Sequence, residues 1–258
     1  MRIARFTTGD EPSYGVVTGE PGDEWLAEIT GDPLYTQITP TGRRINLDTV
    51  RLLAPVIPRS KIVGIGRNYL EHAREMGNEA PDEPMMFLKP NTAVVGPDDP
   101  VVIPRQTHNC HYEGELAVVI GRMCKDVPRE RATKVILGYT CANDVTARDL
   151  QRSDGQWSRA KGFDTFCPLG PWIETDLDPS QLHLVTRLDR AVVQDGTTAD
   201  LIHDVPTLVA AVSAAFTLLP GDVILTGTPA GVGAVQAGQR VEVEIVGIGV
   251  LSNPFVRR

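Results

Sequence analysis

Short apolar runs, each about as long as a strand, recur from Lys61 to the end of this 258-residue chain. They are Lys61–Ile65, Val101–Ile103, Leu116–Ile120, Tyr139–Ala142, Leu182–Leu188, Val223–Thr226, Val241–Val246 and Ile248–Leu251. Most are bounded by Gly, Pro or Asp, the punctuation of strands. Helical patterns are few. Tyr69–Met76 stops at Gly77, and Glu130–Leu137 is short. Val205–Leu219 follows Asp204, carries Pro206 in its first turn, and offers Leu208, Val212, Ala215, Phe216 and Leu219 as its buried stripe. Many strands with few helices between them predict an antiparallel or mixed β fold, not a doubly wound sheet. Ahead of this region, Ile3–Phe6, Tyr14–Val17 and Trp25–Ile29 lie among Gly, Pro and Asp clusters. They read as a small β-rich unit ending near Ala54, Pro55 and Pro58.

The 25 Lys and Arg against 33 Asp and Glu leave a net charge of −8. That balance argues against nucleic acid or an anionic membrane as the main partner. Cys110, Cys124, Cys141 and Cys167 are scattered without a C-x-x-C pair, as expected of reduced thiols in the cytoplasm. Leu208–Leu219 is too short to span a bilayer, and the first residues lack the apolar core of a signal peptide. A cytoplasmic protein is the expectation.

Chemistry concentrates in a few segments. Glu113 and Glu115 precede the apolar run Leu116–Ile120. In one strand they share a face, about 6.6 Å apart along the backbone. Two buried carboxylates that close need a cation; at a solvated strand mouth they need nothing. Asp144 stands where Tyr139–Asn143 breaks. It fits a third oxygen ligand or the cap of a helix start. Three carboxylates without a Cys suit Mg²⁺, Mn²⁺ or Ca²⁺ better than zinc.

His72 and Glu75 lie at i, i+3 on a predicted helix, the spacing of a base with its orienting carboxylate and equally of an inert surface pair. Lys161 sits among small and aromatic residues, either solvated or held inward for an oxyanion. His108 and His111 fit extra ligands or local polar contacts. Gly64-x-Gly66 is a poor dinucleotide fingerprint, and Gly227–Gly233 lacks the ending of a nucleotide P-loop. The latter still offers backbone N–H groups and the Thr228 hydroxyl to an anion.

The run from Lys61 to Val256 resembles the fumarylacetoacetate hydrolase family. The matching motifs are Gly66-Arg67-Asn68-Tyr69 with His72 and Glu75, Phe87-Leu88-Lys89-Pro90, and His111-x-Glu113-x-Glu115-Leu116. Asp144-Val145-Thr146-Ala147-Arg148-Asp149, Lys161-Gly162-Phe163-Asp164 and Thr226-Gly227-Thr228-Pro229-x-Gly231-Val232-Gly233 follow in the family's order.

The resemblance implies a mixed α+β, mostly β fold: a β-roll-like catalytic domain over residues 58–258 behind a small N-terminal β-rich domain over 1–57. It further implies a divalent metal (Mg²⁺ or Mn²⁺, with Ca²⁺ as a substitute) on Glu113, Glu115 and Asp144. A His72–Glu75 dyad would sit on a segment that closes over substrate, with Lys161 as a catalytic cation. Arg148, Gln151 and Thr228 would contact substrate, and the chain would form a homodimer.

Such enzymes act on 2-oxo or 2,4-dioxo acids and their enols through a metal-stabilised enolate. The Lys161–Pro171 run looks like the 2-hydroxyhepta-2,4-diene-1,7-dioate isomerase branch. Acylpyruvate hydrolysis and oxaloacetate decarboxylation are the alternatives, and a non-catalytic metal-stabilised binding module is the competing class. Two departures stand out. Gly162 replaces a common Ser and is expected to loosen the pocket beside Lys161. Leu188-Asp189-Arg190 replaces a Val-Asn-Gly hairpin.

Overall fold

A computed structural model describes residues 1–9, 11–20 and 22–257. Its spine is a twelve-stranded sheet. In spatial order the main path runs Pro40–Asn46, Trp25–Ile29, Ser13–Thr18, Arg2–Thr7, Cys167–Glu174, Ile136–Asn143, Gly114–Ile120, Val223–Leu225, Ile62–Gly66 and Met85–Lys89. Neighbours along it are antiparallel except Val223–Leu225, which runs parallel to Ile62–Gly66. The N-terminal strands extend this sheet: Arg2 pairs with Glu174 and Ile3 with Ile173. A second, five-stranded sheet orders Ala191–Thr197, His183–Leu188, Arg240–Ile245, Gly249–Arg257 and Val101–Ile103. A three-stranded patch joins Thr146–Ala147, Cys110–Tyr112 and Gly233–Ala234. The fold is mixed and mostly β, as the punctuated runs predict.

Gly114–Ile120 is buried at every position. Its side chains alternate between two cores: Leu116, Val118 and Ile120 in one, Ala117 and Val119 in the other. A strand covered on both faces has no polar side, so its charged groups can gather only at an end.

Helices are short. Leu70–Glu75 ends in Gly77 at φ +71°, with Asn78 N–H donating to Ala73 O and Gly77 N–H to Arg74 O. That is a Schellman close and needs the glycine. Val205–Ala215 is capped by Asp204, whose Oδ1 accepts from Thr207 N–H. It stops four residues before the expected Leu219, because Phe216 turns extended and Leu218 bridges Cys124. Its buried stripe is Val205, Leu208, Val209 and Val212, and Ala215 is exposed.

The helix expected over Glu130–Leu137 is a 3₁₀ turn, Arg129–Lys134. Ile136 already belongs to a strand and pairs with Ile120. Tertiary pairing overrides local propensity there. The run read as Ile248–Leu251 extends through Gly249–Arg257, where Phe255 pairs with Val101. At the altered hairpin, Asp189 and Arg190 take φ +48° and +74° between paired Leu188 and Ala191. This is the two-residue turn whose twist suits a hairpin.

Candidate active site

The chain changes sheets at Glu113. Cys110–Tyr112 pairs with Thr146–Ala147 and Gly233–Ala234, whereas Gly114–Ile120 pairs with Ile136–Asn143 and Val223–Leu225. Glu113 therefore lies between two strands, which corrects the picture of one strand carrying both glutamates on one face. Its N–H finds Asn143 Oδ1 in place of a ladder partner, and its carbonyl accepts from Asp144 N–H. These two bonds bring Asp144 beside it.

One carboxylate oxygen each from Glu113, Glu115 and Asp144 lies within 4.8 Å of the others, and all three residues are buried. Asp144 does not cap a helix; the following Arg148–Ser153 helix has Ala147 at its N-cap.

Three buried cations answer two of the three acids. Lys161 Nζ donates to Glu113 at 2.8 Å and to Asp144 at 2.6 Å. Arg148 donates to the other Glu113 oxygen and, at 2.7 Å, to Gln151 Oε1. Lys89 donates to the other Asp144 oxygen. Burial pushes the Glu113 carboxyl up, but Lys161 and Arg148 outweigh it and hold the group well below the usual carboxylate range. Burial pulls the Lys161 ammonium down, and Asp144 and Glu113 reverse that, leaving it above the ordinary lysine value.

Glu115 differs. It makes no ion pair with a described residue and accepts only Gly227 N–H, at 2.7 Å. Burial, then the neighbouring Asp144 and Glu113 charges, raise its pKa well above normal.

The donors are all hard oxygens, and one carboxylate lacks a cationic counterpart. Nearby, the Tyr69 hydroxyl and Arg148 Nε are buried with no hydrogen-bond partner among the described residues. This set fits a divalent cation of the Mg²⁺ or Mn²⁺ kind.

A cavity of about 300 Å³ opens onto the cluster. His72, Glu113, Glu115, Arg148, Gln151, Lys161 and Thr228 all line it. Glu75 reaches it through His72, with Nδ1 and Oε2 3.4 Å apart. Burial lowers the His72 pKa, and Glu113 and Glu75 oppose the shift only in part, so the imidazole is neutral at pH 7.

The loop after Val223–Leu225 spends its N–H groups on the protein's own acids: Gly227 on Glu115, and Gly231 on Glu75 at 3.2 Å. The Thr228 hydroxyl donates to Gly114 O and accepts from Gln194 Nε2.

Gly64 and Gly66 serve packing. A Cβ on Gly64 would fall 2.2 Å from Phe87, and one on Gly66 2.8 Å from Trp157. Gly162 lies against Pro90, where a Cβ would sit 3.0 Å from the ring. His111 bonds Asn109 and His108 N–H bonds Asp149; neither histidine joins the carboxylate cluster. Lys89 was missed as a site residue. Its motif, Phe87-Leu88-Lys89-Pro90, was the available signal.

Comparison with known proteins gives the family. Residues 61–256 match the profile of the fumarylacetoacetate (FAA) hydrolase C-terminal family, and residues 1–55 match the Rv2993c-like N-terminal family. The structure of a 2-hydroxyhepta-2,4-diene-1,7-dioate isomerase from Mycobacterium marinum superposes with a TM-score of 0.92 at 50% identity, covering 100% of this chain and 99% of that one. A maleylpyruvate hydrolase from Sphingobium sp. SYK-6, in complex with manganese(II) and pyruvate, superposes with a TM-score of 0.81 at 36% identity over 100% and 99% of the two chains. The human mitochondrial oxaloacetate tautomerase FAHD2A is 42% identical over 219 residues, 80% of this chain and 70% of that one. Matched across three quarters of its length by the family profile and from end to end by solved relatives, the chain belongs to the fumarylacetoacetate hydrolase family of enzymes.

Proposed function

We propose that the chain is a divalent-metal-dependent enzyme of 2-oxo and 2,4-dioxo carboxylic acids and their enols, isomerase-like in the manner of 2-hydroxyhepta-2,4-diene-1,7-dioate isomerase. The observation that carries this reading is the convergence of Glu113, Glu115 and Asp144 at the closed end of a cavity that His72 also lines. These three residues would hold the cation. When bound, Mg²⁺ or Mn²⁺ supplies Lewis-acid stabilisation of the negative charge that develops beside the substrate carboxylate.

The chain's own side chains do the rest. Neutral His72, oriented by Glu75, takes a proton from the carbon next to the oxo group or returns it. Lys161, fixed between Glu113 and Asp144, presents a permanent positive charge to the developing oxyanion. Arg148 and Gln151 orient the acid head, contributing proximity, beside Thr228, whose hydroxyl proton is already given to Gly114 O. A second reading, acylpyruvate hydrolysis, is favoured by the same dyad, because a neutral imidazole backed by a carboxylate can also activate water. A cytoplasmic homodimer completes the proposal, with residues 1–57 as a small β-rich unit whose strands extend the catalytic domain's sheet.

The test is a panel of dienol diacids, acylpyruvates and oxaloacetate with Mg²⁺ or Mn²⁺, with and without chelator. Chelator-sensitive isomerisation or ketonisation is expected. Inactivity toward the whole panel with metal bound overturns the reading, and activity confined to acylpyruvate cleavage moves it to the hydrolase.

A further inference from the structure

Gln194 lies on Ala191–Thr197, an edge strand of the five-stranded sheet, yet its side chain is buried and serves the other sheet. Its Oε1 accepts from Gly114 N–H at 2.9 Å, and its Nε2 donates to Thr228 Oγ1 at 2.7 Å and to Pro229 O at 2.8 Å. The Gly114 N–H can only donate and the Pro229 carbonyl only accept, so the carboxamide has a single orientation. The Thr228 hydroxyl, receiving Gln194, passes its own proton to Gly114 O at 2.8 Å. Three bonds thus close a ring through Gly114, Gln194 and Thr228.

The ring adjoins the site on two sides. Gly114 stands between Glu113 and Glu115. Thr228 and Pro229 stand between Gly227, whose N–H holds Glu115, and Gly231, whose N–H holds Glu75.

The strand is shaped to deliver this side chain. Gln194 pairs with Thr186 and Val192 with Arg187, which leaves Val193 between them as a bulge. A bulge re-aims the side chains beside it. Two glycines let strand and loop touch: a Cβ on Gly196 would fall 2.7 Å from Pro229, and one on Gly231 2.1 Å from Val193 O. Filling that space takes only an apolar side chain. A buried carboxamide that uses both N–H groups and its oxygen also fixes distances and directions.

We infer that Gln194 is a positioning residue for this site. Through the ring it sets the spacing between the Glu113–Glu115 segment and the Gly227–Gly231 loop, and so couples the metal site to the His72–Glu75 pair. The inference rests on the metal-dependent reading and adds to it a residue that does not itself line the cavity.

The test measures Mg²⁺ affinity by calorimetry, and turnover at saturating Mg²⁺, in Q194M, T228V, T228S and Q194M/T228V. Q194M keeps the length of the side chain and loses its three bonds; both quantities are expected to fall, the affinity about ten- to hundredfold. T228V is expected to reproduce most of the affinity loss, and T228S to bind Mg²⁺ as the unaltered protein does. The double variant is expected to bind no more weakly than the worse single one, since both substitutions break one ring. A Q194M protein that melts lower but binds Mg²⁺ and turns over as before makes Gln194 a packing residue and overturns the inference. Additive affinity losses in the double variant overturn it too. If the unaltered protein binds Mg²⁺ but turns over nothing in the panel, the enzyme reading falls and the affinities still decide the ring. If it binds no Mg²⁺, both fall. Should Q194M not fold, T228V against T228S decides, and equal affinities in the two overturn the ring.

Discussion

The two ends of the cavity use the same kinds of residue to opposite effect. At the closed end, Lys89, Lys161 and Arg148 are each consumed by a carboxylate of the chain itself. Toward the outside, Arg67 and Arg152 line the cavity and make no hydrogen bond or ion pair with a described residue. A basic side chain whose counter-charge is built in sets geometry, whereas one without it selects ligands. The closed end is thereby suited to hold chemistry constant, and the mouth to vary substrate.

The largest effect should come from breaking the closed end. Glu113→Gln removes one carboxylate of the triad and leaves Lys161 and Arg148 short of charge in a buried site. Calorimetric Mg²⁺ affinity and turnover are expected to be lost together, with a stability loss of about 3–5 kcal/mol by chemical denaturation. Retained metal affinity would show that the triad is not the metal site.

Next comes His72→Ala, expected to lower turnover about 10²- to 10⁴-fold while leaving Mn²⁺ binding in place. Equal loss of metal and rate would make His72 part of the metal site and not the base.

Lys89→Met tests the ion pair missed in the sequence. It should destabilise the metal-free protein by about 3 kcal/mol, since Asp144 loses one of its two cations in a buried setting. Added Mg²⁺ is expected to restore part of that loss, because a ligand of the folded state alone stabilises it by mass action. An unchanged melting temperature in metal-free protein would remove Lys89 from the site.

The smallest effect concerns pH. Folding lowers the His72 pKa, so the unfolded chain binds the proton first as pH falls through about 6.5. His72 thus costs nothing at pH 7 and reduces stability progressively in more acidic buffer. In activity, the acidic limb assigned to this base should lie below about pH 6.5. Glu75→Gln removes a contact that raises the His72 pKa, so the limb should move further down. An upward move would contradict the arrangement.

Much of this was legible in the chain. The runs Val101–Ile103, Leu116–Ile120 and Val223–Thr226 carry their boundaries in Gly, Pro and Asp and their type in β-branched residues. The carboxylates were legible as candidates because acids beside so apolar a run require a cation or water.

What escaped depends on distant pairing. Lys89 meets Asp144 across 55 residues, and nothing local marks a lysine as buried. Arg67 is aimed by bonds from Asn68 to residues 203 and 226, which no local period records. The break at Glu113 exists because two sheets compete for adjoining residues, and the 3₁₀ turn over Arg129–Lys134 because Ile136 is claimed by Ile120.

One loop touches both halves of the machinery. Gly227 holds Glu115, and four residues on Gly231 holds Glu75. A shift of this segment by even an ångström would be felt at the His72–Glu75 pair and the acidic cluster in the same instant. The span from Gly227 to Gly231 thus works as a caliper with one jaw on each. Any displacement of this short span moves the anchor of Glu115 and the anchor of Glu75 together.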